Sequence, residues 1–132
     1  MNIDKIVMLP KIISSTENLA EEFKELFGSS EAKRAKGVVY FFMSEKPVPR
    51  VSGASNILYI GKTKQSIKQR YHQYSKNLAS SRSGEFYRHI IDNYGGIKMG
   101  YIKVDNPKET ESEYFNEYRA THLEFPPKSK VG

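Results

Sequence analysis

Leu58-Tyr59-Ile60-Gly61-Lys62-Thr63, followed by Arg70 nine residues after the glycine, is the stretch on which the reading of this chain turns. Its β-branched and aromatic residues predict a strand over Ile57–Gly61. Upstream, Gly37-Val38-Val39-Tyr40-Phe41-Phe42-Met43 has the same character and predicts another. The intervening Ser44–Asn56 holds Pro47, Pro49 and Gly53, which predicts a connecting loop and an antiparallel hairpin. On such a hairpin Tyr40 and Tyr59 project from one face and converge.

Working outward, Ile67, Tyr71, Tyr74 and Leu78 recur at helical spacing and predict a helix from Ser66 to about Leu78. Ser80-Ser81-Arg82-Ser83-Gly84 breaks it. Phe86, Ile90, Ile91 and Tyr94 mark the next helix, ended by Gly95-Gly96. Ile97–Val104 alternates as a third strand, closed by Asp105-Asn106-Pro107. A last helix runs from about Glu109 to Phe125, stopped by Pro126-Pro127, with Tyr114, Phe115, Tyr118, His122 and Phe125 as its inward stripe. Before the first strand, Leu19, Phe23, Leu26 and Phe27 form the apolar face of an amphipathic helix that packs on the core or docks a partner. The expected fold is α+β: a small three-stranded antiparallel sheet flanked by helices, residues 37–132, with an N-terminal helical extension, residues 1–36.

At 132 residues the chain has room for one modest core. It has no cysteine, which excludes disulfides, thiolate metal sites and cysteine nucleophiles. Its apolar runs are far shorter than the roughly 20 residues that cross a bilayer, and Asp4 and Lys5 interrupt any signal-like run. No membrane role is expected, and the expected compartment is the cytoplasm. The net charge of +6 is concentrated in residues 37–104, which carry 11 basic and 3 acidic side chains. An excess of that size in one stretch suits a polyanion, whose condensed counterions are released on binding.

The spacing has a chemical logic. Gly61 allows the close approach of a phosphate. Lys62 stands beside the second tyrosine, where it would favour a phenolate. Arg70, early on the following helix, offers a planar bidentate fork to a phosphoryl oxygen. Lys64, Lys68, Arg82 and Arg88 are further basic positions for a nucleic-acid backbone. Of the acids in the last helix, Glu109, Glu111, Glu113 and Glu117, Glu111 shares the stripe of Tyr114, Phe115 and Tyr118. An acid on that side calls for a role such as metal binding.

Val38-Val39-Tyr40, Tyr59-Ile60-Gly61, Lys62 and Arg70 together resemble the GIY-YIG nuclease family, over residues 37–129. Gly37 stands one residue earlier than the first glycine of the strict motif, and Ser129 stands where members commonly carry an asparagine. The resemblance implies hydrolysis of DNA phosphodiester bonds by in-line attack of water, assisted by one magnesium (or manganese) ion. Tyr40, or else Tyr59, would be the general base, Arg70 the phosphate clamp and Glu111 the metal ligand. Tyr74, four residues after the arginine, would enter the site. Two other readings stay open: a DNA-binding module without turnover, and a subunit that dimerises or meets a protein partner through its N-terminal helix.

Overall fold

The computed structural model describes residues 3–78 and 81–129. Its centre is an antiparallel sheet with helices on both faces. Four strands pair in the order β1 (Val7–Met8), β4 (Ile97–Lys103), β2 (Lys36–Pro49), β3 (Ala54–Ser66). The α+β class with an antiparallel sheet is as expected; the strand count is not. β1 has only two residues, both exposed, so it leaves no alternating pattern in the sequence. Its pairing with Gly100 and Tyr101 is what defines it.

The two strands of the hairpin, β2 and β3, are also longer than their sequence signal. Most of the expected loop at 44–56 is strand, because Val48 and Pro49 pair with Ser55 and Ala54 and leave a turn over 50–53. β3 runs on to Ser66, so Lys62 and the residues after it extend the strand beyond its expected end at Gly61. The helix expected over 66–78 is α3 (Ile67–Arg70), followed by a 3-10 turn over Tyr74–Asn77. A capping box between Ser66 and Gln69 starts α3. Aromatic packing then overrides helical continuity: Tyr71 stacks on Phe27 at 4.4 Å and Tyr74 meets the same ring edge-on.

That packing accounts for the N-terminal segment. Leu19, Phe23, Leu26 and Phe27 of α1 (Leu19–Gly28) are buried in the same cluster as Tyr40, Phe42, Tyr71 and Tyr87. The apolar face of α1 is thus filled by the core of the domain. α2 (Ser30–Arg34) leads directly into β2, and α4 (Arg82–Tyr94) covers the same face of the sheet. The other face carries α5 (Pro107–His122), whose Tyr114 and Tyr118 pack on Val39, Phe41, Ile57, Ile60 and Ile102.

After α5 the tail is tied back to the sheet. His122 Nδ1 donates to the Ser52 carbonyl (2.8 Å), and Arg50 Nη2 meets both Glu124 Oε1 (2.6 Å) and the Phe125 carbonyl (2.7 Å). These contacts set the tail along the outer side of β3, where Lys128 N–H donates to the Leu58 carbonyl (2.9 Å). No helix among the described residues is long and apolar enough to cross a membrane.

Candidate active site

β3 is an edge strand, so a site built there can draw on both faces of the sheet. Tyr40 is registered opposite Gly61, and Tyr59 opposite Phe42. The tyrosines are therefore diagonal neighbours on one face, with ring centroids 6.2 Å apart. Regular alternation would place Ile57 and Tyr59 on the same side. A bulge separates them: Met43 pairs with Ile57 and Phe42 with Tyr59, leaving Leu58 as the extra residue. Ile57 consequently packs under α5, while Leu58 and Tyr59 join Tyr40 on the opposite face.

Two clefts meet at this edge. One, of about 420 Å³, is lined by Tyr59, Arg70, Tyr74, Glu111, Lys128 and Ser129 among others. The second, of about 580 Å³, includes Tyr40, Tyr59, Lys62, Lys64, Arg70 and Glu111. Tyr59, Arg70 and Glu111 line both. Arg70 comes from the end of α3 and is exposed, its guanidinium 5.1 Å from the Tyr71 ring centre. Glu111 comes from the first turns of α5, beneath the sheet. Lys62 bridges the two sides, its ammonium 3.3 Å from Glu111 Oε1.

The four acids of α5 are separated by this geometry. Glu109 is engaged at the helix N-cap, where Asn106 Nδ2 donates to its carboxylate (3.3 Å). Glu113 is exposed, and Glu117 lines a different cleft beside Tyr118 and Thr121. Among the described residues Glu111 is the one carboxylate lining either cleft at the β3 edge. No group of three or more His, Cys, Asp or Glu side chains that could hold a metal gathers among them. A single carboxylate still fits magnesium, which keeps several waters and takes further oxygens from a substrate phosphate.

The tyrosines form a hydroxyl network. Tyr71 donates to the Tyr40 oxygen (2.7 Å), and the hydroxyls of Tyr74 and Tyr87 lie 2.9 Å apart. Burial pushes the Tyr40 phenol up; the hydrogen bond from Tyr71 and the charge of Arg70 act against that, and Tyr59 and Glu111 act with it. Burial also raises Tyr59, opposed first by Arg70. The cation acting on both phenols is thus Arg70, whereas the Lys62 head is engaged with Glu111. Tyr40 is only 1% exposed, while Tyr59 is partly open to both clefts.

Of the other sequence candidates, Tyr74 and Lys64 line the clefts, and Lys68 lies outside both, on the far side of α3. Gly61 is buried beneath the Tyr40 ring. Arg88 Nη1 donates to the Leu78 carbonyl (3.4 Å), and Arg82, exposed at the start of α4, lines neither cleft. Two residues were not legible from local spacing. Tyr71 reads as a core aromatic until its hydroxyl is seen on Tyr40. Lys128 has no signal at all, yet its ammonium lies 5.6 Å from the ring centres of Tyr59 and Tyr87 and 6.0 Å from that of Tyr74. The Ser129 hydroxyl beside it is buried and has no partner among the described residues.

No family model, curated protein or solved structure matches the chain.

Proposed function

We propose that this chain is a metal-dependent endonuclease of the GIY-YIG type that hydrolyses DNA phosphodiester bonds. The observation that carries the reading is the shared wall of the two clefts, Tyr59, Arg70 and Glu111, with Tyr40 and Lys62 beside it in the second cleft, all drawn to one edge by β2, β3, α3 and α5. Phosphodiester hydrolysis asks for this combination: a proton acceptor for water, a planar clamp for the phosphoryl oxygens and an anchor for a cation.

In the proposed reaction Arg70 holds two oxygens of the scissile phosphate in bidentate fashion. Tyr59, as phenolate, takes the proton of the attacking water; the new oxygen–phosphorus bond forms in line as the bond to the leaving oxygen breaks. Tyr59 is preferred to Tyr40 for this step because it opens to both clefts, whereas the Tyr40 oxygen is buried and already accepts from Tyr71. Tyr40 then acts as a positioning residue that fixes the Tyr59 ring. A divalent ion held at Glu111 would supply positive charge for the departing oxygen. Lys62 holds the Glu111 carboxylate in the free protein and would exchange that contact for a phosphate oxygen when the ion binds.

The test is cleavage of plasmid, linear and branched DNA with magnesium or manganese. Cutting that disappears in Arg70→Ala and Glu111→Gln supports the reading; equal cutting by those variants and the parent, or none by the parent, rejects it. The raised phenols and the lone carboxylate favour one alternative, a DNA-binding module without turnover. Binding that survives chelation while no DNA form is cut would select it.

A further inference from the structure

A second set of cations gathers at the C-terminal end of β3. Lys36 pairs in register with Ser66, and Ile67 N–H donates to the Ala35 carbonyl (3.0 Å), which brings the end of α2 against α3. Between them lies a cleft of about 690 Å³ lined by Lys33, Lys36, Lys68 and His72 together with the amides of Gln65 and Gln69. No carboxylate lines it. All three lysines are exposed, and none has an ion-pair partner among the described residues; the neighbouring Glu31 is paired instead with Arg34, at 3.9 Å.

Like charges held together without a counter-charge repel one another, and an anion placed among them relieves that repulsion. The position of the cleft indicates which anion. The cleft adjoins the active site: Gln65, which lines it, follows Lys64 of the second active-site cleft on β3, and Lys68 stands two residues before Arg70 on α3. Phosphates of one DNA strand follow one another about every 3.4 Å along the axis, so a backbone clamped at Arg70 reaches this cleft within a few nucleotides. Lys62 and Lys64 stand on β3 and line that active-site cleft with Arg70. The cations of the two adjoining clefts, Lys62, Lys64 and Arg70 in one and Lys33, Lys36 and Lys68 in the other, therefore form one extended basic surface, which suits an extended polyanion better than a free phosphate.

We infer that the Lys33, Lys36 and Lys68 cleft is a second backbone-binding site for the DNA duplex, gripping the phosphates that flank the scissile bond. The N-terminal segment, through Lys33 and Lys36, thereby contributes to nucleic-acid binding as well as to the core. The inference rests on the nuclease reading of the Tyr59 clefts.

The experiment is the salt dependence of binding to a duplex of about 30 base pairs, roughly 100 Å long at 3.4 Å per pair, measured in chelator so that cleavage plays no part. Parent protein is compared with three triple variants: Lys33→Gln/Lys36→Gln/Lys68→Gln, the same positions changed to Arg, and a control, Lys5→Gln/Lys24→Gln/Lys46→Gln, which removes equal charge from exposed lysines elsewhere. Each lost phosphate contact lowers the slope of log K against log salt by about 0.9, so the first variant should lose about 2.7. The Arg variant should keep the parental slope and the control should change little. Equal losses in the Gln variant and the control, or no loss in either, overturn the second site while leaving the nuclease reading intact. A parent that binds no DNA overturns both. Matching thermal melts show that the exposed substitutions leave the fold in place.

Discussion

Tyr40 lies across Gly61 on the neighbouring strand so closely that a methyl group on the glycine would stand 2.4 Å from the phenol Cζ and 2.6 Å from its oxygen. A glycine here makes room for a ring rather than for a turn. The hydroxyl that Tyr71 contacts is held in place by this absence of a side chain.

Gly61→Ala should therefore destabilise the protein by about 1–3 kcal/mol through overpacking and shift Tyr40 within its pocket. Denaturant unfolding measures the cost. Because the clash is with one ring, Gly61→Ala combined with Tyr40→Ala should cost less than the two changes summed. Strict additivity would show that the ring is not what the methyl group meets.

Lys62→Met should have opposite effects on metal binding and turnover. The ammonium competes with a cation for Glu111 in the free protein, so its removal should lower the manganese concentration needed for half-saturation several-fold. Cleavage should nevertheless slow, since a phosphate contact is lost. Weaker manganese binding in this variant would place Lys62 in support of the ion rather than in competition with it.

Cleavage should accelerate as pH rises from neutral into the alkaline range. The proton acceptor must be deprotonated, and burial holds the Tyr59 phenol above its usual value. Arg70 opposes that rise, so Arg70→Ala should move the profile to higher pH as well as reduce its maximum by about 10²–10³-fold, the usual cost of losing a charge-stabilising donor. Tyr59→Phe should flatten the profile. Tyr40→Phe should lower the rate while keeping the slope; a flat profile for Tyr40→Phe with a normal one for Tyr59→Phe would exchange their roles.

The buried phenols also predict alkaline unfolding. Burial raises Tyr71 and Tyr87 well above the ordinary value of 10.0, and Tyr40 is raised as well. The folded state keeps these protons where the unfolded chain releases them, so their stabilising effect is complete below pH 10 and is lost progressively above it. Each contributes a slope of about 1.4 kcal/mol per pH unit, about 4 for the three together. Phenolate absorbance and far-ultraviolet dichroism should change together above pH 10. If these phenols ionised while the fold persisted, their burial would not be the dominant cause.

Removing residues 1–35 should abolish folding instead of releasing an appendage. Leu19, Phe23, Leu26 and Phe27 are each 3% exposed or less. At about 2 kcal/mol per buried side chain their loss approaches the whole stability of a small domain. A truncated chain with a cooperative melt would show that the remaining core suffices.

Legibility in the sequence followed distance along the chain. The string from Tyr59 to Arg70 is short, and strand character plus one helical turn places its side chains. Tyr40 follows once the hairpin is granted. Glu111 was separable in position from its neighbours because α5 is regular from Pro107 to His122 and buries Tyr114 and Tyr118, although the helix stops at a left-handed Leu123 and leaves Phe125 of the expected stripe beyond it. What could not be read depends on long-range closure. Lys128 reaches the site only because Arg50 holds the tail through Glu124 and Phe125, more than seventy residues away. Lys33 and Lys68 meet because Lys36 is registered against Ser66. The helix expected beyond Arg70 failed for a related reason: Phe27, far upstream in the chain, claims Tyr71 for stacking and Tyr74 for an edge-on contact.

The extra residue at Leu58 acts as a joint between separable parts. A relative with one residue fewer here would pass from the Met43–Ile57 pair to the Phe42–Tyr59 pair without interruption, and both phenols would stay where they are. It would lose the Leu58 carbonyl that fixes the backbone of Lys128. Insertions and deletions at this single position would thus leave the phenols in register while setting or releasing the tail's cation, a route by which such domains could diversify without rebuilding their chemistry.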